Sequence, residues 1–216
     1  MTHTHGEMPV MDERFWDERY GQADAIWSGN PNPQLVAEAG DLPVGTALDV
    51  GCGEGADAIW LARRGWQVTA VDISQVALDR AATHAEAAGV ADRIAWLHAD
   101  LTDGTSPGAG FDLVSAHFLH LPSAQRVPLY RRLASAVGPG GTFLVVGHHH
   151  SDLTTTIGRP HWPDMFFTAA QLAADLDGGP WTVLVDEQRP RTAVDPDGRE
   201  ITIHDAILKA RRTTPA

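Results

Sequence analysis

The chain has 216 residues and a formal net charge of −12 at pH 7, with 43% hydrophobic and 20% charged residues. This is the composition of an ordinary globular domain, and its acidity without any run of Lys or Arg argues against nucleic acid as a partner, because phosphate groups are repelled. Cys52 is the single cysteine, which excludes an intrachain disulfide and a zinc site made only of cysteines.

The first residues, MTHTHGEMPV, do not form a secretory signal, because no basic stretch is followed by an apolar run. Residues 1–11 are expected to be a disordered tail. No segment approaches the roughly 18 apolar residues that a membrane-spanning helix needs. The expectation is a cytoplasmic protein without a membrane partner, and the pattern carries no prediction of oligomeric state.

Strands and helices alternate along the rest of the chain. The spacing of apolar residues predicts strands at 47–50, 67–71, 94–99, 111–116, 142–146, 182–187 and 202–210. It predicts helices at 56–64, from the cap Ser74 to Gly89, at 127–137 and at 168–176. In the third of these, Pro128 predicts either a late start, with the proline in the first turn, or a kink.

This alternation predicts one α/β domain over residues 1–216, with a doubly wound, mostly parallel seven-stranded sheet covered by helices on both faces. The last two strands have a turn, Asp195-Pro196-Asp197-Gly198, but no helix between them, so the last strand is expected to be antiparallel. In such sheets ligands bind beyond the carboxyl ends of the strands. Functional residues are therefore expected directly after each strand.

The strongest chemical signal is the glycine-rich segment LDVGCGEG at 48–55. Glycines there let the backbone turn sharply and approach a ligand closely, and Gly51-x-Gly53-x-x-Ala56 also fits the dinucleotide-binding pattern. A pyrophosphate is disfavoured, however, by the carboxylates of Asp49 and Glu54, which flank the loop. A cofactor with cationic sulfonium and ammonium groups, such as S-adenosylmethionine, fits these acids better.

Two further carboxylates follow strands. Asp72 ends the second strand, where it can accept hydrogen bonds from both ribose hydroxyls of a nucleoside. Asp100 ends the third strand and can accept from an adenine amino group while Leu101 lies against the ring. The alternative for Asp100 is that it caps a helix or turn. Together these acids indicate a nucleoside ligand.

These segments resemble the class I S-adenosylmethionine-dependent methyltransferases, which have a Rossmann-like fold. The matching stretches are LDVGCGEG at 48–55, VDIS at 71–74, HADL at 98–101, FDLVSAHFLHL at 111–121 and LASAVGPGGTFLVV at 133–146. The resemblance implies S-adenosylmethionine as cofactor and S-adenosylhomocysteine as product. It implies these contacts: Asp49, Gly51, Cys52 and Gly53 with the methionine part, Asp72 with the ribose, Ile73, Asp100 and Leu101 with the adenine, and His117 near the sulfur.

Residues 12–40 resemble the N-terminal segment of small methyltransferases of the tellurite-resistance and thiopurine type, with FWDERY at 15–20 and WSGNPNP at 27–33. The resemblance implies a lid over the cofactor, in which aromatic faces contact the sulfonium and exclude water. For Trp16 the alternative is an amphipathic helix that packs on the sheet edge. Trp27 is the better lid candidate, because a Gly/Asn/Pro loop does not form a core.

Eleven histidines are present, and several follow the fourth and fifth strands. Three interpretations stay open: a general base, a metal site completed by Asp152 or Asp164, and a polar pocket wall. The candidate bases are His120, His148 and His149. Adjacent residues of an extended segment point to opposite sides, so at most two of the triplet 148–150 are expected to face one pocket.

The predicted function is methyl transfer to a small-molecule acceptor with an oxygen, nitrogen, sulfur or chalcogen nucleophile. Such a transfer mainly requires alignment, so it does not by itself demand a catalytic residue. The segment 147–167 mixes histidine with aromatic and methionine side chains, which suggests an apolar, partly aromatic or soft acceptor. The alternatives are an NAD-dependent oxidoreductase and a non-catalytic cofactor- or metal-sensing module.

Overall fold

The computed structural model describes residues 10–23, 25–119, 121–157, 162–176 and 179–214. The strands are β1 (Thr46–Val50), β2 (Gln67–Asp72), β3 (Ile94–His98), β4 (Phe111–His117), β5 (Val137–His148), β6 (Trp181–Val194) and β7 (Glu200–Arg212). The helices are α1 (Glu13–Gly21), α2 (Pro33–Ala39), α3 (Ala56–Arg63), α4 (Gln75–Ala87), α5 (Ser123–Ala136) and α6 (Ala169–Asp175).

The seven strands form one sheet in the order β3-β2-β1-β4-β5-β7-β6. β1 to β5 pair in parallel, and β7 lies antiparallel between β5 and β6. The strand order reverses between β1 and β4, which is where a doubly wound sheet opens a crevice for ligands. The predicted fold class is confirmed, including the antiparallel pairing of the last two strands.

The hydrophobic core lies on both faces of the sheet. Along β5, Phe143 and Val145 pack with α5 and α6, whereas Leu144 and Val146 pack with α2 and α3 on the other face. This alternation is the period of two that a strand imposes on its side chains. Because both faces are covered, the strands read in the sequence as nearly continuous apolar runs.

The helix over 127–137 was predicted with a wrong start. α5 begins at Ser123, and Pro128 lies inside it. The amides of Gln125 and Arg126 both donate to the Pro122 carbonyl, at 3.0 and 2.8 Å, so the first turn is complete before the proline is reached. The burial of Leu129 and Leu133 against the sheet offsets the hydrogen bond that Pro128 lacks.

β6 and β7 are longer than predicted and join through residues 195–199, where the predicted turn is confirmed. β5 ends at His148, which pairs with Asp205, but β6 and β7 continue to pair as far as Val194 and Glu200. The end of the hairpin therefore extends past the carboxyl edge of β5 and forms a wall there. In the part of the chain that the structure describes, every helix is too short or too polar to cross a bilayer.

Candidate cofactor and acceptor site

The glycine loop leaves β1 at the reversal of strand order. Gly51 and Gly53 have φ values of +69° and +52°, a backbone region that side chains rarely adopt. A Cβ at Gly53 would lie 2.9 Å from the Tyr20 hydroxyl, and one at Gly51 would overlap Leu119. Side chains of the protein therefore pack directly on the loop backbone, at positions that a Cβ would fill, and Cys52 in the middle of the loop is half-buried.

Asp49 is a buried carboxyl at the end of β1. Its Oδ1 accepts from the Ser115 hydroxyl at 3.3 Å, while Oδ2 has no hydrogen-bond partner among the described residues. Burial, together with the nearby Asp57 carboxylate, raises the pKa of Asp49 to about 7. A buried acceptor without a donor is costly, and a cationic group placed beside it would remove that cost.

His117 lies at the end of β4 and belongs to the same cluster. Its Nδ1 is 2.7 Å from Asp57 Oδ2, and the side chain is only 6% exposed. In a neutral ring whose Nδ1–H donates to this carboxylate, Nε2 is the unprotonated nitrogen. Nε2 also has no partner among the described residues. Asp49 Oδ2 and His117 Nε2 are thus two buried atoms without a hydrogen-bond partner among the described residues. The ammonium-bearing end of S-adenosylmethionine fits such a pair.

Asp72 is buried at the end of β2 and accepts two backbone N–H groups. Gly53 donates to Oδ2 at 2.8 Å and Ser74 donates to Oδ1 at 2.9 Å. Burial raises the pKa of Asp72 above its usual range. A carboxylate can accept about four hydrogen bonds, so the expected ribose contacts remain compatible with these two. The role that sequence reasoning missed is structural: Asp72 joins the glycine loop to the start of α4.

Two of the residues expected to contact the adenine, Ile73 and Asp100, line a cleft of about 570 Å³. The cleft is lined by Asp12, Glu13, Arg14, Ile73, His98, Ala99 and Asp100. Asp100 Oδ1 accepts from the backbone and hydroxyl of Thr102, at 2.8 and 2.6 Å, so the turn-capping alternative is present in the structure. Leu101 is buried in the core and does not line this cleft.

Two aromatic residues of the N-terminal segment lie against the glycine loop. Tyr20 is buried, and its hydroxyl accepts from Trp27 Nε1 at 3.0 Å. Trp27 is 45% exposed, and its ring approaches the position that a Cβ at Gly53 would take. The sequence predicts Trp27 at the loop but does not predict Tyr20, because helical spacing alone does not tell which aromatic side chain of FWDERY meets the loop.

Glu54 has a different role from the one its sequence position suggested. Its carboxylate accepts the amides of Ile26 and Trp27, both at 3.1 Å, and pairs with Arg80 at 3.0 Å. Arg80 also donates to the Tyr20 carbonyl at 2.7 Å. Arg80 therefore neutralises the charge of Glu54, and the Glu54 carboxylate fixes the aromatic segment. This corrects the interpretation of Glu54 as a free negative charge that faces the ligand.

The two helices of the segment 12–40 are attached in different ways. In α1, Asp17 accepts from the Ser74 hydroxyl at 2.6 Å, and Glu13 lies 3.1 Å from His98. In α2, Leu35 and Ala39 are fully buried in the core. Among the described residues of this segment, Tyr20 and Trp27 contact the glycine loop, and a lid over the whole of 12–40 stays a prediction.

The histidines after β5 enter different surroundings, as alternation predicts. His148 lies between two phenylalanine rings, with centroids 4.7 Å from Phe118 and 6.0 Å from Phe166. The Ser151 amide donates to His149 Nδ1 at 3.1 Å, so Nε2 of the neutral His149 ring carries the proton. Burial, followed by two neighbouring histidines, lowers the pKa of His149. His120 lies outside the described residues.

No group of three or more His, Cys, Asp or Glu side chains in the described ranges is arranged to hold a metal ion. Among the residues described, Phe118 is the single non-glycine position with a positive φ, at 51°. It follows β4 directly, one residue after His117. No sequence signal marks it, because an ordinary aromatic residue after a strand carries no sign of its backbone angle.

Residues 47–141 match the family model described as a methyltransferase domain. An uncharacterized methyltransferase from Mycobacterium tuberculosis (strain ATCC 25618 / H37Rv) is 44% identical over 126 residues, which cover 57% of this chain and 61% of the relative's length. The chain thus aligns with about three fifths of that relative's length.

Solved structures show the same fold. A protein from a study of the conversion of a disulfide bond into a thioacetal group during echinomycin biosynthesis superposes with a TM-score of 0.74 at 24% identity, over 94% of this chain and 93% of the other. TehB from Haemophilus influenzae superposes with a TM-score of 0.69 at 19% identity, over 93% and 67%. The chain is therefore similar in sequence to methyltransferases over residues 47–141 and shares the fold of these solved structures over most of its length.

Proposed function

We propose that the protein transfers a methyl group from S-adenosylmethionine to a small-molecule nucleophile. The observation that carries this proposal is a pair of buried atoms without a hydrogen-bond partner among the described residues, Asp49 Oδ2 and His117 Nε2, beside a glycine loop with positive φ angles. When bound, S-adenosylmethionine supplies a methyl group on a sulfonium, which is already an activated leaving group. The chain then has to bind, align and keep water out.

Binding falls to residues at the carboxyl ends of β1, β2, β3 and β4. Asp49 and His117 accept from the cationic methionine end, and the backbone of 51–53 lies along it. Asp72 receives the ribose hydroxyls, and Ile73 and Asp100 border the adenine in their shared cleft. The raised pKa of Asp49 supports this assignment, because a positive charge beside it favours the ionised carboxylate.

Water exclusion falls to the aromatic segment. Tyr20 and Trp27 are fixed over the glycine loop by Glu54 and Arg80. Aromatic faces contact a sulfonium favourably and displace water from it. When water is excluded, it cannot compete with the acceptor for the methyl group. We include the whole segment 12–40 in this lid, within one domain that spans the chain.

Proton removal from the acceptor is assigned to His148 rather than His149. The lone pair of neutral His149 already accepts from the Ser151 amide, so this ring offers the acceptor an N–H donor instead of a base. His148 lies at the carboxyl end of β5, next to Phe118. His120 remains a candidate base on its position after β4.

A small acceptor fits the electrostatics better than a polyanion does. The net charge of −12 repels nucleic acid, and the aromatic segment closes over the loop instead of leaving an open groove. The acceptor atom is taken to be oxygen, nitrogen, sulfur or a chalcogen.

The testing experiment is calorimetric titration of the purified protein with S-adenosylhomocysteine, with NAD as the comparison ligand. We expect dissociation constants of about 1–100 μM for the former, which corresponds to roughly 5–8 kcal/mol, and no heat from NAD. A variant with Glu86→Gln serves as the matched control, since Glu86 is exposed in the last turn of α4 and does not line the cleft. Binding of NAD alone, or of neither ligand, would overturn the proposal.

A further inference from the structure

Phe118 has a backbone conformation that bulky residues rarely adopt. Its φ is 51°, in the left-handed region where a Cβ meets the following carbonyl oxygen. Its amide donates to the Val146 carbonyl at 2.8 Å, so the end of β4 fixes this geometry. Strained residues persist only where the surrounding structure determines them, and they concentrate at ligand sites. Here the strained backbone sets the position of the Phe118 ring.

The strain positions an aromatic ring between a histidine and an arginine. The Phe118 ring lies 4.7 Å from the His148 ring, at an interplanar angle of 38°. The Arg191 guanidinium lies 5.9 Å from the Phe118 ring. On its other side His148 approaches Phe166, at 6.0 Å. Phe118 and His148 are both half-buried, so part of this row of rings is open at the carboxyl edge of the sheet.

The charge of Arg191 is already neutralised by another side chain. Arg191 Nε donates to Asp205 Oδ1 at 2.8 Å, and Asp205 is 2% exposed. Gln34 of α2 donates to the other oxygen of Asp205 at 3.3 Å. A small oxyanion would find the charge of Arg191 already paired with a buried carboxylate. A neutral planar ring, in contrast, can pack on Phe118 and His148 without removing any ion pair.

The wall is adjacent to the cofactor residues on both sides in sequence. His117 precedes Phe118 and belongs to the cluster with Asp49 and Asp57. Leu119 follows Phe118 and contacts the position of Gly51. The backbone of Phe118 therefore lies beside the loop that is assigned to the methionine end of the cofactor.

We propose that Phe118 and His148 form the acceptor-binding wall and that the acceptor is a planar aromatic small molecule packed on the Phe118 ring. This inference rests on the proposed methyltransferase function. It narrows the acceptor from any soft nucleophile to an aromatic ring that carries the nucleophilic atom, and it sets aside chalcogen oxyanions.

The test uses 1-naphthol, a planar aromatic hydroxyl compound, titrated calorimetrically into the protein saturated with S-adenosylhomocysteine. Phe118→Leu keeps an apolar side chain but removes the ring, and we expect it to weaken 1-naphthol binding by about fivefold or more. Phe118→Tyr keeps the ring and should stay within about twofold. Phe111→Leu, at the opposite end of β4, is the matched control and should also leave the affinity unchanged.

The outcomes separate the two proposals. A wild-type protein that binds S-adenosylhomocysteine but binds selenite rather than 1-naphthol overturns the aromatic acceptor alone. Equal 1-naphthol affinity of the Leu and Tyr variants overturns the role of the Phe118 ring. A wild-type protein that does not bind S-adenosylhomocysteine overturns the methyltransferase proposal and, with it, this inference.

The strain itself is tested with two variants that both lack the ring. Phe118→Gly and Phe118→Ala lose the same contacts, but only glycine adopts a positive φ freely. We expect the Gly variant to unfold about 2–4 °C above the Ala variant in a thermal melt. Equal melting temperatures would show that the backbone is not strained at this position and would overturn the inference that strain positions the Phe118 ring.

Discussion

The carboxylate of Glu54 accepts the backbone N–H of Trp27 at 3.1 Å. The residue that completes the glycine loop thereby fixes the aromatic segment that covers the same loop. Arg80 completes this arrangement by bonding to Glu54 and to the Tyr20 carbonyl. The glycine loop and the aromatic segment are therefore coupled through one buried carboxylate. A change at Glu54 should loosen the aromatic segment while residues 51–53 of the loop keep their sequence.

Replacing Glu54 by Gln should weaken S-adenosylhomocysteine binding by about tenfold. The substitution removes the charge that Arg80 and two amides share, and hydrogen bonds to a charged group contribute about 1.5–3 kcal/mol. Calorimetric titration measures the affinity, and the fluorescence of Trp27 reports whether the aromatic segment has moved. Glu86→Gln is the control, since Glu86 is exposed in the last turn of α4, away from the cleft. An unchanged affinity together with changed fluorescence would show that the segment is dispensable for binding.

Replacing Asp72 by Ala should weaken S-adenosylhomocysteine binding by at least about tenfold, or 1.4 kcal/mol, through loss of two ribose hydrogen bonds. Because Asp72 also accepts from Gly53 and Ser74, this variant should unfold at a lower temperature as well. Asp72→Asn retains one acceptor oxygen and should be less destabilised. Comparing the two variants by calorimetry and thermal melting separates ribose binding from loop anchoring; unchanged affinity in both would place the ribose elsewhere.

The raised pKa of Asp49 predicts a pH-dependent stability of the ligand-free protein. In the folded state this carboxyl has a pKa of about 7, against an ordinary value of 3.8. The folded state then binds more protons than the unfolded state between these values, so the free energy of unfolding falls as pH rises from about 4 to 7. Denaturant titrations at several pH values measure this slope, and Asp49→Asn should flatten it. A slope that Asp49→Asn leaves unchanged would assign the dependence to another group.

Cofactor binding should release protons near pH 6.5. A cation beside Asp49 favours its ionised form, so its pKa falls from about 7 when the ligand binds. Calorimetric titrations in buffers of different ionisation enthalpy count the released protons. Asp49→Asn should abolish this release, whereas Asp100→Asn, at the exposed adenine end, should retain it. Proton uptake by the wild type would contradict the placement of the ammonium end beside Asp49.

The two adjacent histidines should behave differently as catalytic groups. If His148 removes the acceptor proton, His148→Gln lowers kcat on 1-naphthol by about a hundredfold, the usual size of a general-base effect. His149→Gln should change kcat by less than about threefold, because its lone pair already accepts from Ser151 and its replacement removes only a donor. Steady-state rates across pH 5–8 measure both. Equal losses in the two variants would make both rings part of the pocket wall.

The elements that sequence reasoning predicted well are those determined locally. β1, the glycine loop and α3 follow from an apolar run, from three positions that need a positive φ, and from a helical pattern that begins at Ala56. The position of Asp72 at the end of β2 follows equally, because the apolar run of this strand stops there and the last residue of a buried strand lies at the sheet edge. The predicted start of α5 was wrong, since the packing of its buried face outweighs the local effect of Pro128.

What the sequence alone determined is the α/β architecture, because apolar periodicity and glycine backbone freedom are properties of neighbouring residues. The sequence also predicts a ligand site at the carboxyl edge of the sheet, with acidic residues that suit a cationic nucleoside cofactor. The tertiary structure alone decided the pairs Glu54–Trp27 and Asp57–His117 and the strained backbone of Phe118. These depend on segments far apart in the chain, and burial of their polar atoms selects the partners only when the sheet and helices have packed together.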